Sequence, residues 1–342
     1  VEGNKTFFFP RVPIRYAVRV TDREDGSLRN GRIPASRVLV SAAYHKQGLV
    51  MSQGGQQAAG VPASHDAGRR LIESGTCLSC HQVDKASVGP SYTAVSRRYR
   101  GDTSATARLV RKIRAGGSGV WGQVMMPAHP QLTEAQASAM VAYILSLGQP
   151  RTPSLPVRGS YVPAATTDSS PQGVVVLRAA YTDRGANGIR SASAEKAVIL
   201  RAPLVIVARG EVADGVEKYS GPEVPVEVTI GSRSGAFVGF RQLDLTNVSA
   251  IVFSALAPVP NVNSAGGKVE VRLDSATGAL IGETALIQPQ AAMGAPSRLR
   301  AALSPTSGMH DVYFVFRNEN AKEGQNLFVL FTAAFERASG SK

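Results

Sequence analysis

The sequence predicts a multidomain chain, with an all-α unit set between a short β-rich N-terminal segment and an all-β jelly-roll sandwich. Three observations carry that prediction. Residues 66–149 place apolar side chains at helical spacing between recognisable start and stop signals. Residues 173–338 hold short alternating or β-branched runs, eight or nine of them, separated by Asn, Gly, Asp and Pro. Residues 50–65 and 150–172 have linker composition and divide these regions. A length of 342 residues also suits more than one domain.

Residues 1–49 read as extended. Ile14 to Val20 alternates with charged residues, Arg37 to Ala42 is a second apolar run, and Asp22-Arg23-Glu24-Asp25-Gly26 between them is a turn. Two short strands are not stable alone, so this segment needs cover from a neighbour or from further strands. Residues 50–65 are rich in Gly, Gln and Ala. In the helical region, Asp66 is placed to cap a helix through Leu71 to Ser74, and Thr106 to Ala115 carries Leu109, Val110 and Ile113 between basic residues. Thr133 and Gln136 form a capping-box pair. Ala137, Val141, Ile144, Leu145 and Leu147 follow before Gly148 and Pro150 end that helix. Three short helices joined by long glycine- and proline-rich loops make a marginal core, which a large apolar cofactor would complete. The second linker carries Pro153, Pro156, Pro163 and Pro171. Beyond it, Val174 to Leu177, Val198 to Leu200, Val226 to Ile230, Phe237 to Leu243, Ala250 to Phe253, Lys268 to Leu273, His310 to Phe316 and Leu327 to Phe335 read as strands.

The formal charge of +13 is uneven: residues 1–160 carry 21 Lys or Arg against 9 acids, and residues 161–342 carry 17 against 16. A basic first half suits an acidic docking partner or an anionic surface. Nucleic acid is not expected, because no zinc spacing, recognition-helix pattern or aromatic-and-basic strip accompanies the charge. An integral membrane protein is not expected either, since no stretch reaches the roughly 18 apolar residues of a span. The first residue is Val1, with no signal peptide, so the chain reads as a processed product or a piece of something longer.

The two cysteines lie in Cys77-Leu78-Ser79-Cys80-His81. Thiols at this spacing reach the two vinyl groups of one haem, and the adjacent His presents an imidazole to its iron. A redox dithiol or half of a zinc site are the competing readings of a bare Cys-x-x-Cys. No second cysteine pair exists for a four-thiolate site. Downstream, Gly116 to Pro127 places Met125 and Met126 on a glycine- and proline-shaped loop ahead of the last helix. A thioether there suits the second axial position, where it favours ferrous iron and raises the potential. Met126, directly before Pro127, is the favoured ligand. Met125 is the alternative, and His129, three residues on, is a rival.

With these motifs in place, residues 66–149 resemble a small class I cytochrome c. The closest pattern is the bacterial type running Cys-x-x-Cys-His, then Gly-Pro, then Gly-x-Trp-Gly-x-x-x-Met-Pro, with Met125 standing where Pro is commoner. The resemblance implies one haem c bound covalently through Cys77 and Cys80, with His81 and Met126 as iron ligands. It implies that the Pro90 carbonyl receives the His81 ring N–H and that Trp121 packs near the haem propionates. Tyr92, Tyr99, Ile113, Leu145 and Leu147 would line or seal the haem shell. Lys85, Arg97, Arg98, Arg100 and Lys112 are candidates for steering a partner, set against an ordinary solvated face.

The sandwich is similar to carbohydrate-binding modules of the galactose-binding-like type. Leu200 to Pro203, Phe240 to Thr246, Gly267 to Asp274 and Asp311 to Phe316 carry that likeness. It implies a carbohydrate partner, but Val329 stands where these modules usually bring an Asn, and no Trp follows Trp121. Tyr181, Asn187, Tyr219 and Asn318 remain as sugar-site candidates, and a structural or docking module is the favoured reading. Calcium is common in such sandwiches. Asp244, Glu270 and Asp274 are its candidate ligands, against a plainer reading as solvated strand and turn residues.

The stretch Tyr16 to Gly26 resembles the end of an immunoglobulin-like repeat of the polycystic kidney disease type. The combination resembles the tails of secreted bacterial quinoprotein sugar dehydrogenases. It implies an electron-transfer protein of the periplasm or exterior, part of a multi-subunit assembly, that takes electrons from a dehydrogenase and passes them to a respiratory acceptor; an electron-transfer role is favoured over catalysis at its own iron, for which Met126 leaves no open position. A glycan-binding or surface-anchoring module that carries a haem domain is the alternative.

Overall fold

A computed structural model describes residues 1–46, 48, 50–51, 58–59, 66–147, 154–164, 172–185, 192–222, 224–292 and 294–338. The chain divides into two compact units. One joins Val1–Gly48 to Leu155–Lys342, and the other is Leu49–Ser154. Most of the residues assigned to the 50–65 linker lie outside the described residues, as does Asn187.

In the first unit, strand Val38–His45 pairs antiparallel with Val174–Thr182, which pairs in turn with Ser193–Arg201. Strand Ile14–Ala17 pairs with Arg158–Tyr161. Alternation explains the arrangement: Val38, Val40, Val175, Leu177, Tyr181 and Leu200 form one buried cluster with Ile14 and Tyr16. The N-terminal strands therefore take their cover from residues 158–201. This differs from the sequence-based boundaries, which placed 158–161 in a linker and 174–201 in the sandwich. A period-two run identifies a strand without identifying its partner, and a four-residue strand is lost among prolines.

The turn after the first strand is fastened to this sheet. The Asp25 carboxylate accepts hydrogen bonds from the Tyr181 hydroxyl and, at 3.1 Å, from Arg37 Nη1. The Arg37 guanidinium lies 5.3 Å from the Tyr181 ring centroid. The bond from Tyr181, together with Arg37, holds the Asp25 carboxyl below its usual range. Burial, then the bond to Asp25, pushes the Tyr181 hydroxyl up to about 12.

The sandwich has two antiparallel sheets. One runs in the order Val216–Tyr219, Val228–Gly231, Val329–Arg337, Val248–Leu256, Ser297–Ala302, with Leu204–Ile206 also paired to Val329–Arg337. The other runs Val212–Asp214, Phe237–Asp244, Met309–Arg317, Lys268–Leu273, Leu280–Glu283. Phe240, Phe253, Phe314, Phe316, Phe328 and Phe335 fill the space between them. Phe253 meets Phe314 edge to face at 4.9 Å, and Phe7 from the N-terminal segment stacks on Phe335 at 4.5 Å. Asn4 Nδ2 donates to the Asp244 and Thr246 carbonyls at 2.6 and 3.0 Å.

The second unit is helical: α1 Asp66–Ser74, α2 Tyr92–Arg98, α3 Ala105–Ala115 and α4 Glu134–Ser146. The capping box is present. Gln136 N donates to Thr133 Oγ1 at 3.2 Å, and Thr133 N donates to Gln136 Oε1 at 2.9 Å. Helix α2 was not expected from sequence. It has seven residues, too few for a periodic signal, and its only punctuation is the Ser91 cap, which accepts from Ala94 N at 3.2 Å. Ile72, Tyr92, Val110, Ile113, Ala137, Met140, Val141 and Ile144 form the core. Between α3 and α4 the chain makes a small hairpin, Gly117–Gly119 with Gly122–Met126. Among the described residues, no helix is long and apolar enough to cross a membrane.

Candidate functional site

The core of the helical unit is incomplete. It opens into a cavity of ≈ 330 Å³ whose wall includes Cys77, Cys80, His81, Pro90, Trp121 and Met126. One short 3-10 turn, Cys77–Ser79, presents the thiols, and His81 N closes it by donating to the Cys77 carbonyl at 3.0 Å. Both thiols are free and half-buried. Burial pushes the Cys77 thiol up, so this sulfur is held as S–H.

His81 is fixed on two sides. Its Nδ1 lies 2.7 Å from the Pro90 carbonyl oxygen. A carbonyl only accepts, so Nδ1 carries the proton and Nε2 keeps its lone pair. The Tyr92 ring stacks on the imidazole at 5.3 Å and 17°. Burial, followed by the neighbouring thiols and Tyr143, raises the Tyr92 hydroxyl above its ordinary value. Gly89 is required for this approach, because a Cβ there would lie 2.4 Å from His81 Cε1.

The opposite wall comes from the hairpin after α3. Met126 is half-buried and packs against the helical core, whereas Met125 is 72% exposed. Gly116 ends α3 at φ 69°, and its Cα approaches the Met126–Ala128 backbone so closely that a Cβ would lie 2.6 Å from the Met126 carbonyl oxygen. The Arg98 guanidinium lies 5.0 Å from the Trp121 ring centroid at the cavity. Lys112, read from sequence as a steering charge, lines the cavity, where its Nζ donates to the Ser118 carbonyl at 3.3 Å. Of the five residues named for the shell, Tyr92 and Ile113 line the cavity. Tyr99, Leu145 and Leu147 instead support the core behind it. Sequence reasoning missed Leu109, Met140 and Val141 as wall residues, although the 3.6-residue period along α3 and α4 points them inward.

Comparison with known proteins identifies the helical unit. The family model described as Cytochrome c matches residues 65–148. Cytochrome c-551 of Allochromatium vinosum is 47% identical over 77 residues, 22% of this chain and 82% of that protein. Cytochrome c-551 of Azotobacter vinelandii is 38% identical over 81 residues, 24% of this chain and 98% of that protein. The chain belongs to the cytochrome c family. A class I c-type cytochrome domain is thus joined to a second module, since the model described as Carbohydrate binding module (family 6) matches residues 216–336. A solved family 6 module from Clostridium cellulolyticum in complex with xylose is 23% identical, with a TM-score of 0.34, covering 39% of this chain and 96% of that one. Membership of the cytochrome c family implies a covalently bound haem c. The residues present fit it, because one apolar-walled cavity holds two free cysteine sulfurs, a histidine with an available Nε2 and a thioether.

Among the described residues, two of the sugar-site candidates in the other unit are engaged elsewhere. Tyr181 is buried against Asp25. Asn318 Nδ2 donates to the Ala265 and Gly266 carbonyls, and its Oδ1 accepts from Asn320 N. Tyr219 is exposed, and Val329 is buried. The proposed calcium ligands have other partners. Asp244 accepts from Lys5 N and Thr246 N, Glu270 pairs with Arg272 and Arg317, and Asp274 faces His310. Among the described residues, no three His, Cys, Asp or Glu side chains group to hold a metal.

Proposed function

We propose that this cytochrome carries single electrons from a dehydrogenase to a respiratory acceptor. The proposed haem is anchored by Cys77 and Cys80 and ligated by His81 and Met126. When bound, the haem supplies one reversible electron at its iron. The carrying observation is the cavity that gathers both thiols, an imidazole oriented by Pro90, and Met126. Pro90 holds the His81 proton on Nδ1, which aims the Nε2 lone pair at the iron position. The Tyr92 stack restrains the ring, and Gly89 leaves it the room it occupies. Apolar walls from α3 and α4 exclude water, so a change of charge in the cavity reorganises little solvent. Lys112, a cation at the cavity wall, and Trp121, also lining it, would meet the carboxylates of a bound haem.

The donor in this reading is a quinoprotein sugar dehydrogenase, with the two proteins associated outside the bacterial cytoplasm. Residues 14–26 would be the end of a polycystic-kidney-disease-type repeat. The test is spectroelectrochemical titration of the haem-loaded chain. A single positive potential with low-spin spectra in both states supports His/Met ligation and a carrier role. A strongly negative potential, or a high-spin fraction that binds added ligands, rejects it.

A second reading, carbohydrate binding by the sandwich, draws on the family match at 216–336 and on exposed Tyr219. Affinity electrophoresis against xylan and β-glucan separates a glycan binder, which is retarded, from a docking module, which is not. Calcium in the sandwich gains no support from Asp244, Glu270 or Asp274, all engaged elsewhere.

A further inference from the structure

We infer that His129 is a reserve axial ligand, an imidazole held in the Met126 loop that takes the sixth iron position when the thioether is lost. The inference rests on the haem reading above. Its first support is position, since His129 lines the same cavity as His81 and Met126. Its second is availability. The ring is half-buried, and its side-chain contact is with Gln131 Nε2, 3.5 Å from Nδ1 at the outer limit of a hydrogen bond. Among the described residues, Nε2 has no hydrogen-bond partner.

The third support is how the loop is fastened. His129 N donates to the Ile113 carbonyl at 3.1 Å, and Leu132 N donates to the His129 carbonyl at 3.2 Å. Gly116 packs against Met126 O and Ala128 N at the other end of the segment. The segment from Met126 to His129 is thus pinned to the end of α3 by backbone contacts, besides the packing of the Met126 side chain on the core. Removing the Met126 side chain breaks none of the backbone contacts, so His129 remains at the cavity wall. Ligand chemistry sets the direction of exchange. A thioether favours ferrous iron, and an imidazole binds well in either state, so the exchange lowers the potential. A thioether can also be lost as a ligand to a peroxide, which transfers one oxygen atom to the Met126 sulfur to give the sulfoxide and leaves as water. The cytochrome then keeps a closed, low-spin iron of lower potential, with no open coordination site exposed to small molecules.

The experiment compares the haem-loaded full chain carrying Met126→Ala with one carrying Met126→Ala and His129→Ala. The single variant should give the ferric electron paramagnetic resonance signature of two imidazoles and a potential below that of the parent. It should bind added imidazole at least tenfold more weakly than the double variant, because an internal ligand must first leave. The double variant should be high-spin. Met126→Gln, which keeps side-chain bulk, repeats the comparison if Met126→Ala is poorly folded. Two outcomes overturn the inference: a single variant as high-spin and as ready to bind imidazole as the double, or a double variant that stays low-spin through another side chain. Neither disturbs the haem reading, which fails separately if no haem is attached through Cys77 and Cys80.

Discussion

Replacing Gly116 by Ala tests how the Met126 loop is held. Gly116 sits at φ 69° and ψ −153°, a region open essentially to glycine, where another residue costs about 1–3 kcal/mol. The new methyl would also meet Met126 O at 2.6 Å, Ala128 N at 2.7 Å and Pro127 C at 3.0 Å. These are backbone atoms and cannot rotate away, so overpacking adds about 1–3 kcal/mol. Together the two effects give roughly 2–6 kcal/mol. Gly101 supplies the control. It also has positive φ, at 77°, but nothing lies within 4 Å of its Cβ position, so Gly101→Ala carries backbone strain of about 1–2 kcal/mol alone. The assay is guanidinium unfolding of the haem-loaded chain followed at the haem absorption, which isolates this unit from the rest of a multidomain protein. Gly116→Ala should unfold at clearly lower denaturant than Gly101→Ala and should show a weakened ferric methionine-to-iron band. Unfolding free energies equal within about 0.5 kcal/mol would refute the argument that α3 pins the ligand loop by contact.

Three further outcomes are expected. Asp25 is held below its usual carboxylate value, so its contribution is full above about pH 4 and is lost as pH falls through the lower folded value. Tyr181, raised to about 12, contributes fully below its ordinary value near 10 and loses that contribution as pH rises through about 12. Hydrogen exchange in strand Val174–Thr182 should therefore quicken at both extremes, and Asp25→Asn should remove the acid limb. Phe253→Ala deletes a fully buried ring that meets Phe314 at 4.9 Å, and should cost the sandwich about 3–5 kcal/mol in denaturant unfolding followed by near-ultraviolet circular dichroism. Arg97 is exposed beside the Arg98–Trp121 pair. Arg97→Glu should slow reduction by an anionic donor at low salt, and the deficit should shrink as the screening length falls from about 30 Å to about 3 Å between 0.01 and 1 M salt. A deficit unchanged by salt would mean that this face does not steer.

What could be read from sequence follows from how local each signal is. Cys77, Cys80 and His81 are contiguous, so their spacing states their chemistry directly. Pro90 followed from the resemblance to class I cytochromes c, and its carbonyl lies 2.7 Å from His81 Nδ1. Helix α4 showed both its caps and its apolar face, whereas α2 has two turns and a single serine to announce it. Lys112 read as a surface charge because a basic residue between apolar ones on α3 gives no sign that the hairpin beyond Gly116 folds back over it. The largest difference lies in pairing. Val38–His45 and Val174–Thr182 each read as β, but their partnership spans the entire helical unit, and no local pattern records it.

That long-range partnership also sets an order of assembly. The chain is made from its N-terminus, so Ile14–Ala17 and Val38–His45 emerge more than a hundred residues before the strands that complete them. Their pairing waits while Leu49–Ser154, which has its own core, is synthesised and can fold. During that interval the edges of Val38–His45 are bare, with Leu39 offering an apolar side chain beside them. The sheet would then close after the intervening segment has folded, which shortens the loop that closure must restrain. A cytochrome unit that fails to fold, for want of its cofactor, leaves a longer and looser loop, slower sheet closure, and a longer exposure of the waiting strands to other chains.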